Sequence, residues 1–340
     1  MIESRRAPLL VLGTILRTRQ TVLLVIVGLA LSFFLERSGF VSSYILQILM
    51  YVGINIILTL SLNLVNGYMG EFSVGHAGFM AVGAYTASII TVWLFRNQAG
   101  ALVFPIATLG AGIAAAATSI IVAIPSFRTR GDYLAIVTLA FNMIVKSLLE
   151  NIDALGGPRG FLGMNRLTSL ASVYAWCAIT IYIVRNFVYS NFGRAVLSIR
   201  EDEVASNLVS VNTRQTKVLV FVVAAFFAGV AGALFAHLVQ FINPRTFSIQ
   251  KSTDILVMVY LGGIGSIFGS ILGATVYTVL LELLRPLGVW RWVLGPVMLV
   301  ILMIGRPTGI MGLKEFAGFV PIEERARKKK EGTAVAAASH

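Results

Sequence analysis

The chain alternates long apolar runs with short polar intervals. A helix needs about 20 mostly apolar residues to cross roughly 30 Å of hydrocarbon at 1.5 Å per residue. Runs of that kind occupy 20–36, 44–65, 72–94, 101–124, 132–149, 167–184, 218–240 and 289–304. Between the last two, the stretch 253–284 is too long for one crossing and short for two full ones. It is interrupted by Leu261-Gly-Gly-Ile-Gly-Ser-Ile-Phe-Gly269. Each glycine costs a helix roughly 1 kcal/mol relative to alanine, so a break into two shorter helices is expected there. The pattern predicts an all-α, polytopic transmembrane helix bundle of nine or ten crossings, with discontinuous, glycine-broken helices. It divides the chain into a short N-terminal segment (1–19), a membrane domain (20–304) with a long polar loop at 185–217, and a basic tail (305–340).

Composition sharpens this. Of the 340 residues 57% are hydrophobic and 12% charged, and the mean hydropathy is +0.85. A soluble domain carries about a quarter charged residues, so a soluble enzyme, a disordered protein and a DNA-binding protein are all excluded. The net charge of +12 and the pI of 10.1 do not point to nucleic acid, because lysine and arginine collect on the cytoplasmic loops of membrane proteins. If 253–284 turns back on itself, the segments 1–19, 125–131, 185–217 and 305–340 share one side of the membrane. Together they hold 18 of the 27 basic residues, against eight on the other side. Both termini are therefore expected in the cytoplasm, with the chain multi-pass in the cytoplasmic membrane. A single crossing through 253–284 would instead export the tail run Arg325-Ala-Arg-Lys-Lys-Lys330. The first apolar run continues without a break into Phe33-Phe34-Leu35, which favours a retained span over a cleaved signal. The charge run and alanine-rich end of the tail read as disordered, a topology signal that also suits contact with lipid headgroups.

The inventory of reactive groups is sparse. Cys177 stands alone, and His76, His237 and His340 are far apart, so neither a metal site nor a nucleophile–base pair can be assigned. No catalytic residue is expected. The chain has no Gly-x4-Gly-Lys-Ser/Thr phosphate loop and so binds no ATP by that motif. It also lacks the series of intramembrane acids and histidines found in proton-driven pumps.

Two segments stand out from scaffold packing. The first runs Asn63-Leu-Val-Asn66-Gly-Tyr-Met-Gly-Glu71-Phe-Ser73-Val-Gly75-His76-Ala-Gly78; the second is the 261–269 break. Irregular backbone at membrane depth persists only where protein or a watery cavity satisfies it, and glycine-interrupted segments in the two halves of a chain point to a transport path. Candidate path residues are Asn63, Asn66, Glu71, Ser73, Gly75, His76, Gly262, Gly263 and Gly265. Glu71 suits both a helix-start cap and a solute contact, and His76 both a hydrogen-bonded interior position and a proton relay. Asn142 and Lys146 lie one turn apart, either facing the interior or snorkelling; Glu282 near Arg285 is equally open. Small-residue seams are expected along Gly265, Gly269 and Gly273, along Ala224, Ala228, Ala231 and Gly232, and between Gly110 and Ala117.

Within the long polar loop, Leu197, Val204, Leu208 and Val211 recur at helical spacing and predict a short amphipathic helix. Arg200, Glu201, Asp202 and Glu203 form a dense charged cluster between them. Three adjacent acids are repelled by anionic lipid, so a groove on a protein partner fits this segment better than a membrane surface.

Several of these motifs, in order, resemble the membrane permeases of ABC importers for branched-chain amino acids, of the LivM type, from about 44 to 312. The most specific is Gly193-Arg-Ala-x-x-x-Ile199-Arg-Glu-Asp-Glu203-x-Ala205, followed by Asn212. Others are Gly75-His-Ala-Gly78 with Ala81-Val-Gly-Ala-Tyr85, Arg130-Gly-Asp-Tyr133-Leu-Ala-Ile-Val-Thr138-Leu, Gly156-Gly-Pro158 and Leu261-Gly-Gly-Ile-Gly265-Ser. The resemblance implies that 193–212 is a coupling helix docking on an ATPase, with Gly193, Arg194, Arg200, Glu201, Asp202, Glu203, Ala205 and Asn212 in that role. It also implies a heterodimer with a homologous second permease, two ABC ATPase subunits that bind the ATP, and an extracytoplasmic solute-binding protein. The solute would be a branched-chain amino acid or another small polar molecule such as urea or an amide. Two positions depart from the family pattern: Ser210 stands where glycine is usual, and Arg159 where a small polar residue is usual. The rival function is a stand-alone secondary transporter or channel, which would move solute without partners.

Overall fold

In the computed structural model, residues 25–39, 41–95, 103–127 and 133–290 are described, together with parts of 293–311. Helix α1 covers 25–38, and α2 (Ser43–Asn63) continues through a π-helical turn at Leu64–Tyr68. Then follow α3 (His76–Ile89), α4 (Val103–Ser126), α5 (Tyr133–Asn151) and α6 (Leu170–Val188). Two short helices, α7 (Asn191–Glu201) and α8 (Glu203–Leu208), precede the long α9 (Thr213–Val239). The hairpin α10 (Ile249–Gly262) and α11 (Ile267–Leu283) comes next. Six of these helices, α2 to α6 and α9, are long and apolar enough to cross a membrane. The protein is a polytopic helical bundle.

Local chemistry sets the helix starts. Ser169 and Ser172 form a reciprocal capping box on α6, the Ser190 hydroxyl accepts from Gly193 N at the start of α7, and the Asn212 amide oxygen accepts from Gln215 N at the start of α9. Each satisfies a backbone donor that a helix N-terminus leaves open.

Burial sorts the helices. In α2 and α9, 67% of the most apolar window is buried inside the protein, against 28% in α5 and α6. The core is thus α2, α3 and α9, while α5 and α6 turn apolar side chains such as Ile136 and Tyr182 outward. The seams are made by small residues, as lipid gives no hydrophobic drive for helix association. A Cβ on Gly83 would lie 2.3 Å from the Gly229 Cα, and one on Gly232 would lie 2.0 Å from the Met80 carbonyl oxygen, so α3 and α9 touch at backbone distance.

The stretch 253–284 does divide, at Gly263–Ser266, and α11 folds back on α10 with Gly273 against Met258 and Gly269 against Gly262. The three-glycine face expected from spacing is corrected at its first member. Gly265 lies in the turn with φ +76°, because α11 begins only at Ile267. Further on, Ile310 N and Met311 N donate to the Leu261 and Gly262 carbonyls, so the chain returns to the α10–α11 turn. The segment 1–19 and the tail beyond Met311 lie outside the described residues.

Candidate functional site

The two glycine-rich breaks meet. Asn63, the last residue of α2, accepts from Gly265 N (2.9 Å) and donates to Ser266 O (3.0 Å) and Ser270 Oγ (2.8 Å). One buried amide therefore bridges elements 200 residues apart in sequence, with three bonds of ordinary length. A Cβ on Gly67 would lie 2.6 Å from Gly265 N, so glycine is what allows this approach.

The rest of the first break is held from within. Asn66 Oδ1 accepts from Ser73 N (3.2 Å), and Val74 N donates to Thr138 Oγ1 (3.1 Å). Gly75 packs against the Thr138 backbone. His76 opens α3 and pairs through Nε2 with Ser61 Oγ (2.7 Å), its ring edge-on to Phe79. That is the hydrogen-bonded interior arrangement. Three buried polar atoms in this segment, Asn66 Nδ2, Ser73 Oγ and His76 Nδ1, have no partner among the described residues.

Glu71 does not cap a helix. α3 starts five residues later with Gly75 as its cap, and the Glu71 carboxylate instead lies 2.6 Å from Lys217 Nζ. The same ammonium lies 2.8 Å from Glu203 Oε2. Lys217, buried at the start of α9, thus ties the first break to the polar loop.

That loop is not one amphipathic helix, as spacing suggested, but two. Asp202 takes an extended conformation (φ −156°, ψ 110°) and its carboxylate accepts from Val204 N and Ala205 N, capping α8. The cap redirects the chain, so the expected stripe splits: Leu197 and Val211 are half-buried, while Val204 and Leu208 are exposed, and the buried face of α7 is made by Val196 and Ile199 instead.

The predicted loop residues therefore divide by task. Arg200 reaches inward and donates to the Gly67 carbonyl (2.9 Å). Gly193 is buried against the Val188 carbonyl, and Asn212 caps α9. Arg194, which bonds Asn191, stays exposed with Glu201 and Ala205 on the surface that also carries Val204 and Leu208.

A cavity of about 520 Å³ opens elsewhere, between α2, α10 and α11, on the side of the bundle remote from α7. None of the path residues picked from the sequence lines it. Its polar lining includes Asn55, Lys251, Asp254, Tyr277 and Thr278. At its rim Glu282 accepts from Tyr44 and from Arg285 (2.8 Å), and Arg285 also donates to Tyr44 Oη (3.4 Å); the bonds of Arg285 to Glu282 and to Tyr44 push its guanidinium further above its already high value. Asp254 had a readable signal, an ionisable residue at the start of the apolar stretch 253–284, which marks function by default inside a membrane. Of the other open positions, Asn142 is buried and donates to Ser252 Oγ (3.5 Å), while Lys146 lies 3.9 Å from Glu150.

Comparison with known proteins bears on this arrangement. A family model described as branched-chain amino acid transport system / permease component matches residues 44–305. The chain is 33% identical over 293 residues to the high-affinity branched-chain amino acid transport system permease protein LivM of Escherichia coli (strain K12), covering 76% of this chain and 68% of that protein. It is 25% identical over 337 residues to the probable branched-chain amino acid transport permease protein LivM of Methanocaldococcus jannaschii, covering 84% and 96%. Over 143 residues it is 32% identical to the permease protein BraD of Pseudomonas aeruginosa, covering 40% and 44%.

Proposed function

The chain belongs to the family of branched-chain amino acid transport permeases, and on that premise we propose that it is the membrane permease subunit of an ABC importer for branched-chain amino acids. It works in the cytoplasmic membrane with both termini inside, as a heterodimer with a homologous permease. Two ATPase subunits dock on α7 and α8, and an extracytoplasmic binding protein delivers the solute.

One observation carries the reading: a single side chain of the polar loop, Arg200, is bonded to the backbone of the first break, which abuts the second. A force applied to α7 therefore reaches both breaks at once. The exposed apolar side chains of α8, beside Glu201, suit a groove on a partner. Among the described residues the cavity lies at the end of the bundle remote from α7, which supports a path open to the outside and shut to the cytoplasm. The unpaired atoms of Asn66, Ser73 and His76 support a second arrangement of the first break, in which they gain partners.

The test is ATP-driven leucine uptake in proteoliposomes holding the chain with its co-expressed partners. Leucine should accumulate only with ATP and all subunits present. The double change Arg200→Glu with Glu203→Arg should abolish uptake or ATPase co-purification. Accumulation by the chain alone, driven by an ion gradient, would overturn the reading in favour of a secondary transporter.

A further inference from the structure

Among the four charged side chains that line the cavity between α2, α10 and α11, Lys251 and Asp254 stand together on α10 without closing into an ion pair. The two sit one turn apart on the same face of the helix, and no ion pair joins them within 4.0 Å. Each is held open by a neutral group. Lys251 Nζ lies 3.4 Å from Asn55 Oδ1, whose own amide donates to Thr278 Oγ1 (2.9 Å). Asp254 Oδ1 accepts from Tyr277 Oη (2.7 Å), and the carboxylate lines the cavity. The Gln250 amide nitrogen, in the same lining, is buried without a partner among the described residues.

Charges of opposite sign one helical turn apart normally close on each other (their Cβ atoms are about 5–6 Å apart). Here α2 and α11 hold them separate. The matching ligand carries an anion and a cation on neighbouring atoms. The wall also offers an apolar patch of Ile48, Phe235, Met258 and Leu281, with Arg245, Thr246, Ser248 and Glu282 also in the lining, and the volume lies in the range of small-molecule sites.

We infer that this cavity is a transit site for a free α-amino acid zwitterion, in which Lys251 and Gln250 take the carboxylate, Asp254 takes the ammonium, and the apolar wall takes an aliphatic side chain. The inference rests on the importer reading and adds to it a place where the permease itself inspects the solute. A ligand with one charge leaves the other charged group desolvated and unmatched, a penalty that a zwitterion avoids. Amides, urea and monocarboxylates are rejected on that ground.

The test uses the assembled transporter carrying Cys177→Ala and Ser248→Cys, so that one thiol borders the cavity. Its modification rate by a membrane-impermeant thiosulfonate is measured with leucine, 4-methylpentanoate or isoamylamine. Leucine should slow the reaction at least fivefold and the two single-charge analogues should not. Asp254→Asn and Lys251→Gln should each abolish the protection, and the exchanged pair (Lys251→Asp with Asp254→Lys) should restore part of it. The competition needs no variant of the charged pair, so a folding defect there does not blunt it. Equal protection by all three compounds, or by none, overturns the inference. ATP-driven leucine uptake without protection would leave the importer reading intact and remove the site; failure of uptake in the intact complex would instead remove the importer reading.

Discussion

Arg200 Nη1 lies 2.9 Å from the carbonyl oxygen of Gly67, and a Cβ built on Gly265 would lie 3.2 Å from that same nitrogen. The guanidinium therefore sits where the two broken segments touch, on the helix that leads into α8 with its exposed Val204 and Leu208. Replacing Arg200 by alanine removes a charge-assisted bond worth roughly 1.5–3 kcal/mol. We expect ATP-driven uptake to fall at least tenfold while the partners remain bound and continue to hydrolyse ATP. Measuring uptake and hydrolysis on the same preparation checks this; a parallel fall of both, in proportion to lost assembly, would contradict it.

Lys217 makes the second link, with Glu71 at 2.6 Å and Glu203 at 2.8 Å. Its side chain is 9% exposed, whereas that of Glu203 is 48% exposed, so water screens the outer pair and the inner one carries most of the coupling. Lys217→Met leaves the mostly buried Glu71 carboxylate without its cation, beside a Glu203 that water still reaches, and should destabilise the protein by about 1–2 kcal/mol. Adding Glu71→Gln should recover a large part of that loss, since it removes the repulsion along with the partner. A thermal denaturation series in detergent on the two single variants and the double variant measures the coupling. Strict additivity would show that the contact carries no energy.

Much of the architecture was readable because it follows from length and composition alone. The apolar runs pointed to the six helices that, among the described residues, are long enough to cross a membrane, and the glycines of 261–269 pointed to the hairpin break. The charged cluster at 200–203 marked the loop that carries α7 and α8. What could not be read were relationships across long sequence distance. Nothing near Asn63 says that its amide will clamp Gly265 and Ser270, because both partners are supplied by a hairpin packed against α2 late in the chain. The periodicity over 197–211 fits one helix, and only the side chain of Asp202, folding back to Val204 N and Ala205 N, breaks it in two. Lys251 read as a loop cation, because its place on α10 depends on where that helix starts.

Ser210 has φ +66°, the left-handed region that glycine occupies without cost. It stands at the end of α8, where its N–H still bonds the Asn207 carbonyl (3.1 Å) and the chain turns into α9. The resemblance had marked this as the position where related permeases place glycine, and the backbone supplies the reason. Ser210→Gly should relieve the strain and, after the extra freedom of the unfolded glycine is subtracted, gain roughly 0.5–1 kcal/mol. Amide hydrogen exchange across 206–212 should slow by a factor of a few. Faster exchange would mean that the serine conformation is held by contacts worth more than its strain.

Gly83 in the α3–α9 seam and Gly110 on α4 make a contrast between two glycines of similar sequence appearance. A Cβ on Gly83 would lie 2.2 Å from the Gly229 carbonyl oxygen and 2.3 Å from its Cα, both backbone atoms that cannot rotate away. A Cβ on Gly110 would meet only the Ile90 Cδ1, at 2.9 Å, the far end of a flexible side chain. Relief at Gly83 requires α3 and α9 to separate, which opens the contact along the most buried part of the bundle; overpacking of that kind costs about 1–3 kcal/mol. Relief at Gly110 needs only a new isoleucine rotamer, while alanine gains helix propensity of up to about 1 kcal/mol. Gly83→Ala should therefore lower the detergent melting temperature by several degrees, and Gly110→Ala should leave it unchanged or raise it. Equal effects at the two positions would show that the seam is soft enough to yield, and that helix contact at backbone distance does not hold the core together.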